Sequence, residues 1–444
     1  MKSLFSIDFA TDLDKQKTRA LSAQQALSAA ATGAAASTNM ARMVPQPAKA
    51  SAPSMTEDAW RDWHALPSSA AFLKTTAELD RTRDPKWSKM VHPVSGLEKM
   101  GATARSRALL KKRVRKGVPR AWRTTTWPLL LEVAYGSDRA ANEGPDHYRR
   151  ASAETYPALV SRSSQDPVDP ESIYEIIERD LTRTYPRHPM FETALVDGGR
   201  SDQSVENKGV SMLRRVLCAY AALDEECGYC QGMNYVAALA LVHVCGEDAS
   251  RNDPMRSMSK RHLGAQASER DLAGSAEEDC FWFLVALLRS RRTSLRELYL
   301  PGMVGAQRCL FVYGAVLAQL APKVAAHMAK EGLEPNMYAT HWFVTVFSAQ
   351  FPFALVARVW DAFLAEGWKP VYRVAVALLS TNEKAILAMD FEGLMMWLRT
   401  LPDTVDAAAV LKAAGRLPLT TAGVRNLEAK YAEEEAANKS PRSA

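Results

Sequence analysis

Large apolar residues recur three and four positions apart through most of residues 105–431, a spacing that places them on one face of an α-helix. Residues 211–223 show this pattern most clearly. Their apolar face is formed by Met212, Leu213, Val216, Leu217, Tyr220 and Leu223. Stretches rich in aliphatic and aromatic residues predict further helices over 171–182, 280–288, 338–347, 371–379 and 391–401.

The same region lacks the signals of β-structure and of repeat proteins. Apolar and polar residues do not alternate with a period of two between hairpin turns. No segment recurs at a fixed period of about 20–50 residues, which argues against a solenoid. The pattern therefore predicts an all-α protein built around a single large, irregular helical domain.

Changes in composition divide the chain into segments. Residues 1–55 are dominated by Ala and Ser and predict a low-complexity, disordered tail, because such a stretch cannot bury enough apolar surface to offset its ordering entropy. Residues 56–104 predict a partly helical entry segment that packs on the main domain. The helical domain spans 105–432, interrupted by a polar insert at 246–279, and a polar tail follows over 433–444.

Composition excludes several classes of protein. The 444 residues are 47% hydrophobic and 24% charged, as in ordinary globular proteins, and six Cys are too few for a disulfide scaffold. The longest apolar run, 235–245, is well short of the ~20 residues needed to cross a bilayer. Acids near the N-terminus argue against a mitochondrial transit peptide. We expect a cytoplasmic protein with reduced thiols, and peripheral attachment to endomembranes stays open.

The net charge of +6 is mild, but the positive charge is concentrated in residues 105–123. This run holds no acid and nine cations, namely Arg105, Arg107, Lys111, Lys112, Arg113, Arg115, Lys116, Arg120 and Arg123. A solvated helix face, a contact with anionic membrane lipid and a contact with the acidic face of a partner all remain open. Nucleic acid is not expected as a partner, because aromatic residues are not interleaved here as stacking platforms.

Three short motifs could carry chemistry, and the first begins at Gly117. Gly117-Val118-Pro119 is a turn signal, and Arg123 and Trp127 follow four residues apart on one face of the next predicted helix. These residues by themselves suggest a helix start with Trp127 in the core and Arg123 paired with a carboxylate.

The second motif runs from Ile177 to Pro186. Asp180 and Arg183 are three residues apart and face the same way on a helix, which must end near Tyr185 because of the proline. Arg183 therefore lies close to a helix terminus. There its long cationic side chain can either complement the helix dipole or project beyond the end.

The third motif is the run Tyr229-Cys230-Gln231-Gly232-Met233-Asn234-Tyr235, a short polar patch between two apolar helices. Gln231 can cap a loop. Its amide can also point outward, where it is able both to donate and to accept hydrogen bonds.

In this order, the three motifs resemble those of the TBC domain, the GTPase-activating domain that acts on Rab-family GTPases. The resemblance lies in G-V-P followed by Arg123-x-x-x-Trp127, in Ile177-x-x-Asp180-x-x-Arg183-Thr-Tyr-Pro, and in Tyr229-Cys-Gln231-Gly-Met. The segments EEDCFWFL (277–284) and HWFVTVFSAQFPFALVARVWDAFLAEG (341–367) are also similar to segments of that family. The resemblance covers about 300 residues and implies a fold of the TBC type.

The resemblance implies an activator that works on its partner's GTPase site and has no catalytic turnover of its own. Arg183 would be an arginine finger and Gln231 a glutamine finger, both inserted in trans into a Rab-family GTPase. The resemblance implies no cofactor for this chain, because the partner binds GTP and Mg²⁺. The sequence also lacks a Gly-rich phosphate loop and a metal-ligand motif of its own.

The remaining motif residues would support these fingers. Asp180 would hold Arg183 or its loop, while Tyr229, Gly232 and Asn234 would position Gln231. Arg123 and Trp127 would be scaffold for the same face. A non-catalytic module that binds small GTPases or a scaffold remains the alternative function.

One further pattern, Cys227-x-x-Cys230 with Cys245 and His243 nearby, superficially suggests redox chemistry or zinc. The pair follows an amphipathic helix rather than a strand, and the spacing differs from that of zinc knuckles. We interpret these residues as core or loop cysteines and predict no metal site.

Overall fold

The computed structural model describes residues 80–90, 103–133, 143–163, 172–192, 207–245 and 269–439. All regular elements in these ranges are helical, so the predicted all-α class is confirmed. Residues 80–90 form a helix, and the helices of the first half follow. They are α1 (Ala104–Lys116), α2 (Arg120–Glu132), α3 (Pro145–Ala151), α4 (Tyr156–Ser163), α5 (Ile173–Leu181), α6 (Lys208–Leu223) and α7 (Met233–Ala240), which continues as a π-helical turn over Leu241–Cys245.

The second half of the described chain contains α8 to α19. Their bounds are α8 (Glu269–Arg289), α9 (Arg296–Tyr299), α10 (Val304–Leu320), α11 (Pro322–Lys330), α12 (Pro335–Tyr338), α13 (Thr340–Val344), α14 (Phe353–Glu366), α15 (Lys369–Ser380), α16 (Glu383–Ile386), α17 (Phe391–Thr404), α18 (Ala407–Arg416) and α19 (Thr421–Lys439). None of the described helices is by itself long and apolar enough to cross a membrane. Helices α10 and α11 meet the length and composition criteria only as a pair, which is bent by 119°.

Residues 56–427 form one compact unit with a continuous hydrophobic core. Trp127 lies in this core, with its ring 5.6 Å from that of Trp360 and 4.6 Å from that of His243. Trp87 of the helix at 80–90 is only 1% exposed and belongs to the same core. A second unit comprises 1–55 and 428–444, of which 428–439 is described and is helical.

The turn between α1 and α2 has the conformation that its sequence demands. Gly117 adopts φ +113°, which is unfavourable for residues with a Cβ, and Pro119 precedes the first turn of α2. A Cβ on Gly117 would lie 1.9 Å from Nη1 of Arg358. That nitrogen donates to the Lys116 carbonyl at 2.7 Å, so the glycine makes room for an arginine that caps the end of α1.

The helix predicted over 338–347 is interrupted in the structure. Helix α12 ends at Tyr338 and α13 at Val344, and Val346 and Phe347 adopt positive φ values of 47° and 65°. The Phe347 N–H donates to the carbonyl of Trp342 at 2.8 Å, and Trp360 Nε1 donates to the carbonyl of Val346 at 3.0 Å. These bonds stabilise a tight turn that apolar periodicity cannot reveal.

The boundary of the polar insert also differs from the prediction, because residues 269–279 belong to helix α8. Glu277 accepts two hydrogen bonds from Arg215, at 2.7 and 2.6 Å, and one from Tyr156 at 2.5 Å. Its partners lie in α6 and α4, so polar residues that look like a loop in the sequence attach this helix to its neighbours. The predicted tail 1–55, residues 56–79 and 91–102 of the entry segment, residues 246–268 and the end 440–444 lie outside the described residues.

Candidate functional site

The first site loop follows α5, which ends at Leu181. Tyr185 adopts φ 47° immediately before Pro186, and the last helical residue, Leu181, lies four residues before the predicted end near Tyr185. The Thr184 hydroxyl donates to the Asp180 carbonyl at 2.6 Å and closes the end of the helix. Arg183 therefore sits just beyond the last helical turn, in a loop with a fixed backbone.

Asp180 and Arg183 form an ion pair whose two members differ in exposure. The Asp180 side chain is 4% exposed, whereas that of Arg183 is 37% exposed. Nε of Arg183 is buried and has no hydrogen-bond partner in the described chain. The buried acid thus holds a guanidinium that still has donors to offer, because this group carries five N–H donors.

The second oxygen of Asp180 connects this loop to the third motif. The Tyr229 hydroxyl donates to Oδ2 of Asp180 at 2.5 Å, within a buried environment. Burial, and then the Asp180 charge, raise the pKa of Tyr229 well above its usual value, so the hydroxyl keeps its proton. Tyr229 lies two residues before Gln231 and therefore ties the Gln231 loop to the Arg183 loop.

The Gln231 loop turns on a glycine. Gly232 adopts φ +110°, and a Cβ there would lie 3.0 Å from Cγ1 of Val344. Its N–H donates to Oδ1 of Asn234 at 3.0 Å, and α7 begins directly afterwards. Gln231 is exposed, while Gly232 and Asn234 are buried. The loop therefore presents the amide of Gln231 to solvent from a fixed base.

Two more hydrogen bonds join the loops. Asn234 Nδ2 donates to the Thr184 hydroxyl oxygen at 2.7 Å, and the Tyr235 hydroxyl donates to the Arg183 carbonyl at 3.2 Å. We call Asp180, Thr184, Tyr229, Asn234 and Tyr235 the bridging network. Since it is largely buried, it fixes the two exposed side chains, Arg183 and Gln231, relative to each other.

His341 of α13 lies beside this network. Its ring is 6.3 Å from that of Tyr235. Burial, and then the positive charge of Arg183, lower the pKa of His341, so this imidazole is neutral near neutral pH. His341 therefore places no second positive charge next to the Arg183 guanidinium. Sequence reasoning did not identify Thr184, Tyr235 or His341, although the first two lie inside the quoted motifs.

Arg123 and Trp127 belong to a different cluster, centred on Asp361 of α14. Nε and Nη2 of Arg123 donate to Asp361 at 3.0 and 3.2 Å, and Trp127 Nε1 donates to it at 2.9 Å. The Val118 N–H donates at 3.0 Å. We call these residues the Asp361 cluster. Sequence reasoning missed Asp361, and the available signal was an acid flanked on both sides by apolar residues within α14.

Neither metal chemistry nor thiol chemistry is supported among the residues that the structure describes. No group of three or more His, Cys, Asp or Glu side chains there is arranged to hold a metal ion. Cys227 and Cys230 are free thiols, and burial raises the pKa of each to about 11. Thiolates are the reactive form of cysteine, so these two are poor nucleophiles at neutral pH.

Comparison with solved structures gives the fold. The Chlamydomonas flagellar RabGAP TBC domain matches with a TM-score of 0.56 and 24% identity over 79% of this chain and 95% of that one. The Ypt/Rab-GAP domain of Gyp1p also has a TM-score of 0.56, with 18% identity over 79% of this chain and 99% of that one. Both show that the helical domain has a TBC fold.

Sequence relatives extend the match. They include human ecotropic viral integration site 5 protein homolog (25% identical over 83% of this chain), mouse carabin (30% over 75%) and the Caenorhabditis elegans Rab GTPase-activating protein eat-17 (27% over 72%). The matches cover 37%, 61% and 29% of those proteins, so the chain corresponds to less than two thirds of each. A sequence model described as the Rab-GTPase-TBC domain matches residues 120–387, more than half of the chain. The chain therefore belongs to the RabGAP-TBC family.

Proposed function

We propose that this protein accelerates GTP hydrolysis by a Rab-family small GTPase, with Arg183 and Gln231 acting in trans on the GTPase's own site. Membership of the RabGAP-TBC family supports the partner class, as does the similarity to eat-17. The observation that carries the mechanism is geometric. An exposed arginine and an exposed glutamine stand on two loops that buried side chains tie together.

Arg183 would act on the transferring phosphoryl group. Negative charge spreads over the phosphoryl oxygens in the transition state, and an arginine supplied in trans can neutralise it and contribute about 10³–10⁵ in rate. Its side chain is 37% exposed and is held through a single buried acid. It can therefore reach a partner's phosphate while Asp180 keeps its stem in place.

Gln231 would act on the attacking water. A side-chain amide can accept a hydrogen bond from the water while it donates to a phosphate oxygen, and this double contact orients the nucleophile. The sharp turn at Gly232 presents this amide beside the arginine loop. The nucleotide and its Mg²⁺ belong to the partner, so the mechanism requires no cofactor bound to this chain.

The test is single-turnover phosphate release from a panel of GTP-loaded Rab proteins, measured with wild type and with Arg183→Ala and Gln231→Ala. The expected result is stimulation of at least one Rab by wild type. Arg183→Ala should lower that stimulation by about 10³-fold or more. Gln231→Ala should lower it substantially as well, because the water loses its orienting group.

Matched control variants remove an arginine and a glutamine that are not proposed to act on the GTPase. Arg187→Ala deletes an exposed arginine four residues from Arg183, and Gln319→Ala deletes an exposed glutamine of α10. Both controls should stimulate like wild type. The finger assignment is wrong if Arg183→Ala and Gln231→Ala also stimulate like wild type. Binding of GTP-loaded Rab proteins without any stimulation would instead favour a non-catalytic interaction module.

A further inference from the structure

A small basic cavity lies between the helix at 80–90 and the second half of α1. Its volume is about 220 Å³, and it is lined by Lys86, Leu109, Lys112, Arg113 and Lys116. The four α1 residues stand at positions i, i+3, i+4 and i+7, so they share one face of the helix. No carboxylate is among the lining residues. None of the lining residues belongs to the Arg183 loop, the Gln231 loop or the bridging network.

The five cations in the second half of α1 divide into two sets that the sequence could not separate. On the face toward α14, Arg115 forms a bidentate pair with Glu366, and Lys111 Nζ lies 3.7 Å from the same carboxylate. The cations around the cavity form no ion pair with any residue in the described ranges. The basic run at 105–123 is therefore partly neutralised within the fold, whereas no carboxylate of the described residues pairs with the cations around the cavity.

Arg113 is the one arginine among the residues that line the cavity. Its Nε is buried and has no hydrogen-bond partner in the described part of the chain. Since this nitrogen has no accessible surface, the donors that Arg113 can offer to an anion in the adjacent cavity are its terminal guanidinium nitrogens. Lysines at the rim contribute point charges, and the arginine contributes a planar set of donors that suits phosphate oxygens.

We propose that this cavity binds the phosphorylated headgroup of an anionic membrane lipid. The volume of about 220 Å³ is below the about 300–1,000 Å³ of pockets for drug-sized ligands, so it fits a compact headgroup rather than a larger organic ligand. The charged residues that line the cavity are all cations, and its three lysines are exposed on two helices, which suits an anionic surface.

Leu109 favours a lipid surface over a free phosphate compound. It lines the cavity and is 43% exposed, so a large apolar side chain stands next to the cations at the rim. A soluble anion gains nothing from that side chain. A membrane does, because the leucine can enter the apolar part of the headgroup region while the lysines contact phosphate.

The experiment is co-sedimentation of the full chain with vesicles of phosphatidylcholine alone and with the same vesicles carrying a phosphoinositide. The test variant is Lys112→Gln/Lys116→Gln. Its matched control, Lys384→Gln/Lys412→Gln, removes two exposed lysines from α16 and α18. We expect wild type to bind only the phosphoinositide vesicles. The test variant should bind them roughly thirty-fold more weakly, while the control should bind like wild type.

Two further arms identify the source of the anion. Leu109→Ser should weaken vesicle binding but leave the affinity for soluble inositol trisphosphate unchanged. The proposal is overturned if wild type does not distinguish the two vesicles, which would leave the basic face to a protein partner. It is also overturned if the control loses as much binding as the test variant, or if Leu109→Ser has no effect on vesicle binding. Circular dichroism of each variant establishes that the loss is not one of folding.

Discussion

Two buried aspartates, Asp361 and Asp180, each bind an arginine and an aromatic donor. The two arginines differ in how far they are exposed to solvent. In the Asp361 cluster both ionic partners are buried, with Asp361 0% and Arg123 8% exposed. In the bridging network the acid is 4% exposed and its arginine, Arg183, is 37% exposed. The first arrangement locks α2 against α14. The second anchors an arginine whose guanidinium still reaches solvent.

The two pairs therefore differ in how far the cation is buried, and this difference agrees with the proposed roles of Arg123 as scaffold and Arg183 as a finger. A fully buried pair leaves an uncompensated charge when one partner is lost, so it is costly to break. A half-exposed arginine can be solvated instead, so the same kind of pair costs less and leaves the side chain available. Four substitutions test this comparison, and the first three follow in descending order of expected effect on stability.

Asp361→Asn should cause the largest loss of stability. It leaves the buried Arg123 without a counter-charge and weakens the bonds from Trp127 and Val118. We expect the free energy of unfolding to fall by about 3–5 kcal/mol, measured by urea denaturation. Asp403→Asn makes the same chemical change at an exposed position and should have little effect. A loss at Asp361 no larger than that of the control would remove the distinction between the two clusters.

Asp180→Asn should cost less stability but more activity. The exposed Arg183 can be solvated, so we expect a loss of about 1–3 kcal/mol from the weakened bonds to Arg183 and Tyr229. Under the proposed function, stimulated hydrolysis should fall on the order of 100-fold, because the Arg183 side chain loses its anchor. Asp146→Asn breaks an exposed Asp–Arg pair with the same i, i+3 spacing and should change neither quantity appreciably. Wild-type stimulation by Asp180→Asn would show that the anchor does not position Arg183.

Gly232→Ala should have a smaller effect on stability, confined to the glutamine loop. The residue has φ +110°, and its new Cβ would lie 3.0 Å from Val344, so we expect a cost of about 1–2 kcal/mol. Gly415→Ala, in helix α18 with no atom within 4 Å of the new Cβ, should instead be neutral or stabilising. Thermal unfolding of both variants measures this difference. Equal changes at the two positions would mean that the turn tolerates a side chain.

Glu366 extends the comparison, because it pairs with one buried cation and with one exposed cation. Lys369 is 8% exposed and Arg115 is 53% exposed. Burial alone would raise the pKa of Glu366, but hydrogen bonds from Arg115 and Lys369 outweigh it and lower the pKa from 4.5 to about 2. The folded form therefore binds this proton less tightly than the unfolded form. The stability that Glu366 contributes is present above pH 4.5 and is lost as pH falls toward 2.

The variant Glu366→Gln tests the direction of this pH dependence of stability. The stability difference between wild type and variant should be greatest near neutral pH and should shrink as pH falls, by at most about 1.4 kcal/mol per pH unit. Urea denaturation of both proteins between neutral pH and about pH 3 measures it. A difference that stays constant or grows toward acid would contradict the lowered pKa.

Much of this organisation could be predicted from the sequence, because it depends on local spacing. Apolar periodicity gave α5, α6 and α15 to within a few residues, and Pro186 gave the end of α5 to within about one helical turn. The order of the three motifs gave the TBC family. The break at Val346 and Phe347 could not be predicted, because it depends on a hydrogen bond from Trp360 in another helix. The helical start of α8 was hidden for the same reason, since the partners of Glu277 lie in α4 and α6.

By itself, the sequence determined the helical class, the family and the two residues proposed as fingers, since these depend on residue type and on spacing along the chain. Only the tertiary structure decided which charged side chains are held by buried partners and which are exposed to solvent. Asp180 meets Tyr229 across 49 residues, and Asp361 meets Arg123 across 238. The same holds for α1, where Glu366 neutralises Arg115 but leaves Lys112 and Lys116 at an open cavity. The physical reason is that a side chain's charge and exposure depend on neighbours brought together by packing, which no local pattern specifies.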